Sequence, residues 1–335
     1  MRIFFLIGLF LSTLTGLAQP AWLPVSPVTD ASLRGLSTPA PGVIWASGTN
    51  ATWIQSADDG RTWRVDTIAA AKGLDLRDIQ AFDANRALVM TAGSPGMIFL
   101  TENGGASWEK VYENTDPSVF LDGMAFNGSD TGYAFGDPMN HYMFVLRTTD
   151  GGQTWKAMDA TTIPKPLKGE AGFAASGTGI VAMKNTVYIG TGGGEHARVF
   201  RWSADQNEWK VFEIPHMQSG EAAGIFSMAF RNDMEGVVVG GSYTDSTNTK
   251  GVCAITDDGG QGWREGKRPP RGYRSCVAYH NGMLVAVGRT GSDYSTDGGV
   301  IWDSLGTDGY YACTLTDDGG WAVGRGGKMA RFIKD

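Results

Sequence analysis

The 335-residue sequence is short of several things. It has three cysteines, Cys253, Cys276 and Cys313. An odd number at wide spacing allows one bridge at most, which excludes a disulfide-framed scaffold. There is no Cys-x-x-Cys pair, and the four histidines, His141, His196, His216 and His280, lie far apart in the chain. Neither residue type has the spacing of a zinc site, so no metal and no cofactor is expected. Basic runs are missing as well. With 28 Lys and Arg against 35 Asp and Glu, no stretch is built to track phosphates, and nucleic acid is not an expected partner. No long apolar run occurs beyond residue 18, so no membrane span is expected. Charge-rich helical stretches are absent too, which argues against a bundle or coiled coil.

Glycine is abundant: 48 residues, about twice the usual ~7% share. Apolar content is 42% and net charge only −7, so disorder is excluded. The chain opens with Met1-Arg2 and an apolar run from Ile3 to Leu17, with small residues at Gly16 and Ala18. This reads as a secretory signal peptide cut after Ala18. An uncleaved anchor is the competing reading, but the run is shorter than the ~20 residues a bilayer requires. Residues 1–18 are therefore expected to be removed, leaving 19–335 as one exported, monomeric domain, periplasmic or secreted.

One unit repeats through that domain. Ser56 to Trp63 reads SADDGRTW, Thr101 to Trp108 TENGGASW and Thr148 to Trp155 TTDGGQTW. Thr256 to Trp263 reads TDDGGQGW and Ser295 to Trp302 STDGGVIW. A worn copy spans Trp202 to Trp209. The shared pattern is [ST]-x-[DN]-x-G-x-x-W. Asp58, Asn103, Asp150, Asp258 and Asp297 are suited to accept hydrogen bonds from the backbone of a tight turn. The glycine supplies a positive φ at low steric cost. Trp63, Trp108, Trp155, Trp263 and Trp302 open the next strand and bury a large ring. These residues are assigned a structural role.

Trp22, Trp63, Trp108, Trp155, Trp209, Trp263 and Trp302 follow one another at intervals of 39 to 54 residues, and the last segment ends before a tryptophan at the equivalent place. Trp22, in Ala21 to Val25, looks like the missing outer strand of that segment. The reading is an all-β, seven-bladed propeller with four-stranded blades, closed by the N-terminal strand. Closure leaves only short, protected strand edges.

At these boxes the sequence resembles the Asp-box (bacterial neuraminidase repeat) superfamily of propellers. The longer unit in Gly282 to Gly299 is similar to the photosystem II stability/assembly factor type, a seven-bladed family. The resemblance spans residues 22–335. It implies a binding or assembly-factor-like propeller without catalysis, its boxes on the face away from the ligand. The Asp-box superfamily also contains sialidases and polysaccharide hydrolases, so a glycoside hydrolase-like enzyme is the alternative. The Arg-Ile-Pro segment of sialidases is absent.

A ligand or protein partner is expected at the channel mouth opposite the boxes, and an acidic or saccharide group would suit it. The candidate residues precede the innermost strands: Arg34, Arg77, Asp122, Glu170, Glu221, Arg274, Tyr310 and Tyr311. A second set, Asp137, Glu195, His196, Asp245, Arg289 and Arg325, sits between second and third strands. Arg34, Arg77 and Arg274 are expected to converge, or else each to sit in its own salt bridge. Long loops at 163–173 and 214–226 account for the two 54-residue intervals. Cys276 and Cys313 are read in one apolar column with Leu36, Ile79, Met124, Phe173 and Met228. Whether any two cysteines pair is open at this point.

Overall fold

The computed structural model describes residues 19–334. The signal-peptide reading concerns residues 1–18, which lie outside the described residues. Seven antiparallel sheets follow one another around a ring. The first blade is built from Leu33–Ala40, Val43–Gly48, Thr52–Ser56 and Arg64–Thr67, innermost strand first. The second comprises Asp75–Ala81, Ala87–Ala92, Gly96–Thr101 and Glu109–Asn114. The others repeat the plan, with innermost strands Leu121–Asn127, Ile180–Ala182, Ala223–Phe230, Cys276–His280 and Ala312–Thr316. Among the described residues no helix is long and apolar enough to cross a membrane.

The seventh blade holds only three strands from the C-terminal segment. Its fourth is Ala21–Val25, which pairs antiparallel with Met329–Ile333, Trp22 opposite Phe332. The Trp22 ring meets Phe332 edge-on at 5.1 Å and Tyr310 at 5.6 Å. The two ends of the described chain thus share one sheet.

Burial follows strand position. Ala87–Ala92 and Gly96–Thr101 are buried throughout, while the outer Glu109–Asn114 is mostly exposed. Middle strands are covered on both faces by neighbouring blades, so they read as continuous apolar runs. The cores lie between blades. Leu88, Met90 and Ile98 of the second pack on Leu121, Met124, Leu146 and Trp155 of the third.

Each box is a closed hydrogen-bond circuit. In the third blade, Asp150 accepts from the Thr154 backbone at 2.9 Å and from both the Thr148 and Thr154 hydroxyls, while Thr148 Oγ1 accepts from the Gly152 N–H at 2.9 Å. The Trp155 indole donates to the Gly152 carbonyl at 3.1 Å. The box also seats the neighbouring blade. Gly105, at φ +78°, lies against the ring of Trp53 so closely that a Cβ there would overlap it.

Three details depart from the sequence reading. The fifth blade has three strands, and its fourth is reduced to a bridge between Ile255 and Arg264. The following segment leaves for the sixth blade, where Lys267 and Arg268 donate to the Val300 carbonyl. The innermost strand of the fourth blade begins at Ile180, so Phe173 is not in the apolar column. Cys276 also falls outside it: Val277 takes the place opposite Ala286, and Cys276 is turned toward the seventh blade.

Trp155→Ala is expected to cost ~3–5 kcal/mol in urea unfolding, the loss of a buried ring. Asp150→Ala should cost about 1 kcal/mol. The hydroxyl of Thr154, then its N–H, draw the Asp150 carboxyl down to about 2. The contribution of the carboxylate is therefore present above ~pH 4 and lost as pH falls toward 2, so wild type and Asp150→Ala should converge in acid. A constant gap from pH 7 to 2 would contradict the circuit.

Candidate functional site

Between Glu170 and Ile180 the chain does not run directly into the fourth blade. It crosses the centre of the ring. Arg77 of the second blade donates to the Ala174 carbonyl at 3.0 Å, and Arg34 of the first to the Ala175 carbonyl at 3.3 Å. From the other side, Phe226 of the fifth blade stacks on Phe173 at 3.9 Å. Ser176 donates to the Ser275 carbonyl of the sixth at 2.8 Å, and the Thr178 and Ser227 hydroxyls share a hydrogen bond at 2.6 Å. Apart from Phe173 the residues that do this are small, which lets the segment lie where the inner strands converge. A Cβ at Gly177 would overlap the buried Asp78 carboxylate.

The plug turns the channel into a cup. On the face opposite the boxes lies a cavity of about 360 Å³, floored by Gly172–Ala175. Arg34, Arg77 and Arg289 supply positive charge around it, and Tyr243, Tyr273, Tyr311, Phe173 and Phe226 supply rings. Arg34 lies over the Tyr311 ring at 4.1 Å. Among the described residues no carboxylate pairs with it, whereas Arg77 holds Asp75 at 3.2 Å. The half-exposed Tyr243 offers its carbonyl to Arg289 at 3.0 Å.

Two carboxyls share the cavity. Asp122 is 1% exposed and one of its oxygens has no hydrogen-bond partner. Burial raises its pKa well above the usual range, the nearby Asp137 adds to this, and Arg77 opposes it. Burial also raises Asp137, partly offset by the Gly172 N–H that it accepts at 3.0 Å. Both acids face the plug backbone. Gly172 lies against Asp122 so closely that no side chain would fit there.

The sequence-derived candidates divide. Arg34, Arg77, Asp122 and Tyr311 line the cavity. Arg274 does not: it is fully buried in the sixth blade, where its guanidinium pairs with Asp293, which also holds Arg271. The expected convergence of three arginines is corrected, and Arg289 stands in the third place. Glu170 is buried against Arg198 and accepts the Thr191 hydroxyl at 2.6 Å. Glu221 is exposed, away from the cavity lining. Tyr310 points into the interface that holds Trp22. Tyr243 and Tyr273 were not singled out from the sequence; no repeat marks them.

The raised acids give a testable sign. An unfolded Asp ionises near pH 4, but folded Asp122 holds its proton to higher pH, so the stability this carboxyl contributes should fall as pH rises above ~4. Asp122→Asn cannot ionise. Its melting temperature should match wild type near pH 4 and exceed it at pH 8. Parallel curves from pH 4 to 8 would contradict the burial of an ionisable Asp122.

No family model matches the chain. It is 25% identical over 313 residues to the photosystem II assembly lipoprotein Ycf48 of Picosynechococcus sp., an alignment that covers 86% of this chain and 80% of that protein. Among solved structures, YCF48 bound to D1 peptide superposes with a TM-score of 0.65 at 19% identity, over 95% of this chain and 99% of that one. YCF48 from Cyanidioschyzon merolae gives 0.63 at 17% identity, over 93% and 98%. The fold is that of these propellers, and the sequence is similar to the photosystem II assembly factor.

Proposed function

We propose that this chain is a non-catalytic, assembly-factor-like propeller that takes an acidic, extended segment of a protein partner into the cup. The observation that carries the reading is the charge balance of the cavity. Three guanidinium groups ring it, while burial pushes its two carboxyls toward their neutral forms. Guanidinium forks suit carboxylates, and the flanking tyrosines suit the stem of an extended chain. One similar fold is recorded with a bound D1 peptide, which supports a peptide as the kind of ligand.

The box circuits support placing the chain among Asp-box propellers. We also infer export after cleavage near Ala18, as a monomer. The apolar run from Ile3 to Leu17 supports the export, as does the description of the relative as a lipoprotein. The hydrolase alternative is weaker on physical grounds. A glycosidase needs two carboxyls free to reach a sugar. Asp122 and Asp137 are instead turned to the plug backbone.

A labelled acidic decapeptide with a free C-terminal carboxylate tests the reading by fluorescence polarisation, with a neutral decapeptide as reference. The acidic probe should bind more tightly, and lose affinity as salt rises past ~0.1 M, where charges beyond ~10 Å are screened. Arg289→Gln lies at the rim and should weaken binding roughly tenfold, about the share of one charge-assisted hydrogen bond, without moving the melting temperature. Equal binding of acidic and neutral probes would overturn the proposal.

A further inference from the structure

Three inner strands carry the same device. Asp78 of the second blade accepts the Met124 N–H of the third at 2.8 Å, and Ser227 of the fifth accepts the Val277 N–H of the sixth at 2.8 Å. At the same place in the sixth blade the acceptor is Cys276, whose sulfur takes the Cys313 N–H of the seventh at 3.4 Å. Each is a side chain turned forward to bind the backbone of the next blade. Sulfur is a poor acceptor beside a carboxylate or a hydroxyl. The sixth-to-seventh joint is therefore the weak form of the device, and it adjoins the blade that closes the ring.

That joint has something the others lack. The residue donating the N–H is itself a cysteine, and the two sulfurs stand 3.9 Å apart. Both side chains are buried, at 0% and 3% exposure. The pair arises because the register turns Cys276 forward while Cys313, opposite Ala322, is turned back toward it. Cys253 lies in the third strand of the fifth blade and packs among Val239, Ile255 and Trp302, apart from both.

We propose that Cys276 and Cys313 are a dithiol that closes to a disulfide, stapling the sixth blade to the seventh at the channel wall. The oxidant is a low-molecular-weight disulfide of the glutathione type. The Cys276 thiolate attacks one of its sulfurs and releases one thiol. Cys313 then gives up its proton and attacks the Cys276 sulfur, which releases the second thiol. Two protein thiols are oxidised to one disulfide, and the reagent disulfide is reduced to two thiols. The hydrogen bond from the Cys313 thiol draws Cys276 down to about 7, which makes it the first nucleophile of the pair. Burial pushes the Cys253 thiol up to about 12, which keeps it out of the exchange. Closing the bond needs the sulfurs to approach from 3.9 Å to about 2.05 Å.

The plug shares this site. Thr178 Oγ1 lies 3.6 Å from the Cys276 sulfur. Both sulfurs are buried in the closed ring and the plug lies over that of Cys276, so exchange belongs to the stage of folding at which the sixth and seventh blades are paired and the plug is not yet seated. The test follows from that. The full mature chain is unfolded, refolded in a glutathione redox buffer, alkylated in denaturant and weighed intact. The expected product carries one alkyl group, and digestion recovers a Cys276–Cys313 linked peptide pair. The reduced control carries three. A Cys253→Ser variant should lose its one remaining alkyl group and keep the linkage, a result that does not depend on how Cys276 substitutions fold. The linked protein should also melt roughly 5 °C higher than the reduced one, as cross-linking of the unfolded chain implies. Three alkyl groups after refolding, or a linkage that involves Cys253, would overturn the proposal. A linked protein with an unchanged melting temperature would overturn its role as a staple.

Discussion

The whole ring hangs on one five-residue pairing. Ala21–Val25 completes the seventh blade, and without it Met329–Ile333 would be an open edge. An open propeller would leave the seventh-to-first joint exposed, including the Trp63 ring that meets Trp321 at 5.7 Å. The boxes are secondary to this. Each box fixes a local turn and seats its blade on the preceding one; the first does so across the closure, where Gly60 lies against Trp321 and Asp59 pairs with Arg331 at 2.6 Å.

Closure has a functional consequence through the plug. Gly172–Gly179 is held by groups from the first, second, third, fifth and sixth blades. Such a segment is positioned only if the ring is closed around it. Arg34 and Arg77 are then used twice: they hold carbonyls of the plug and face the cavity above it. The buried acids belong to the same arrangement, since Asp122 and Asp137 lie beside the plug backbone. The cup is therefore a product of the fold as a whole.

Much of this is legible in the residues. The boxes gave blade spacing, and the solitary Trp22 gave the closing strand. Arg34, Arg77, Asp122 and Tyr311 could be placed because they stand at or just before the starts of inner strands. The plug was not legible, because Gly172–Gly179 is made largely of Gly, Ala, Ser and Thr, with no period and little apolar bulk. Its only trace was the long interval before Trp209, which loop length alone explained equally well. Arg274 misled because repeat alignment sets it beside Arg34, whereas the strand register sets it level with the buried Leu33, and its side chain turns into the blade to meet Asp293. Tyr310 and Tyr311 are adjacent, and backbone alternation sends one to the core and the other to the cavity. The cysteine pair was hidden by a one-residue register difference that repeat alignment does not show.

The central claim is that a clamped segment closes the channel and floors the site. Hydrogen–deuterium exchange of the mature protein tests it directly. Peptides covering residues 172–179 should exchange as slowly as the inner strands, and far more slowly than the exposed 244–250 loop. Exchange of 172–179 as fast as that loop would mean that the channel is open and that the cup does not exist in solution.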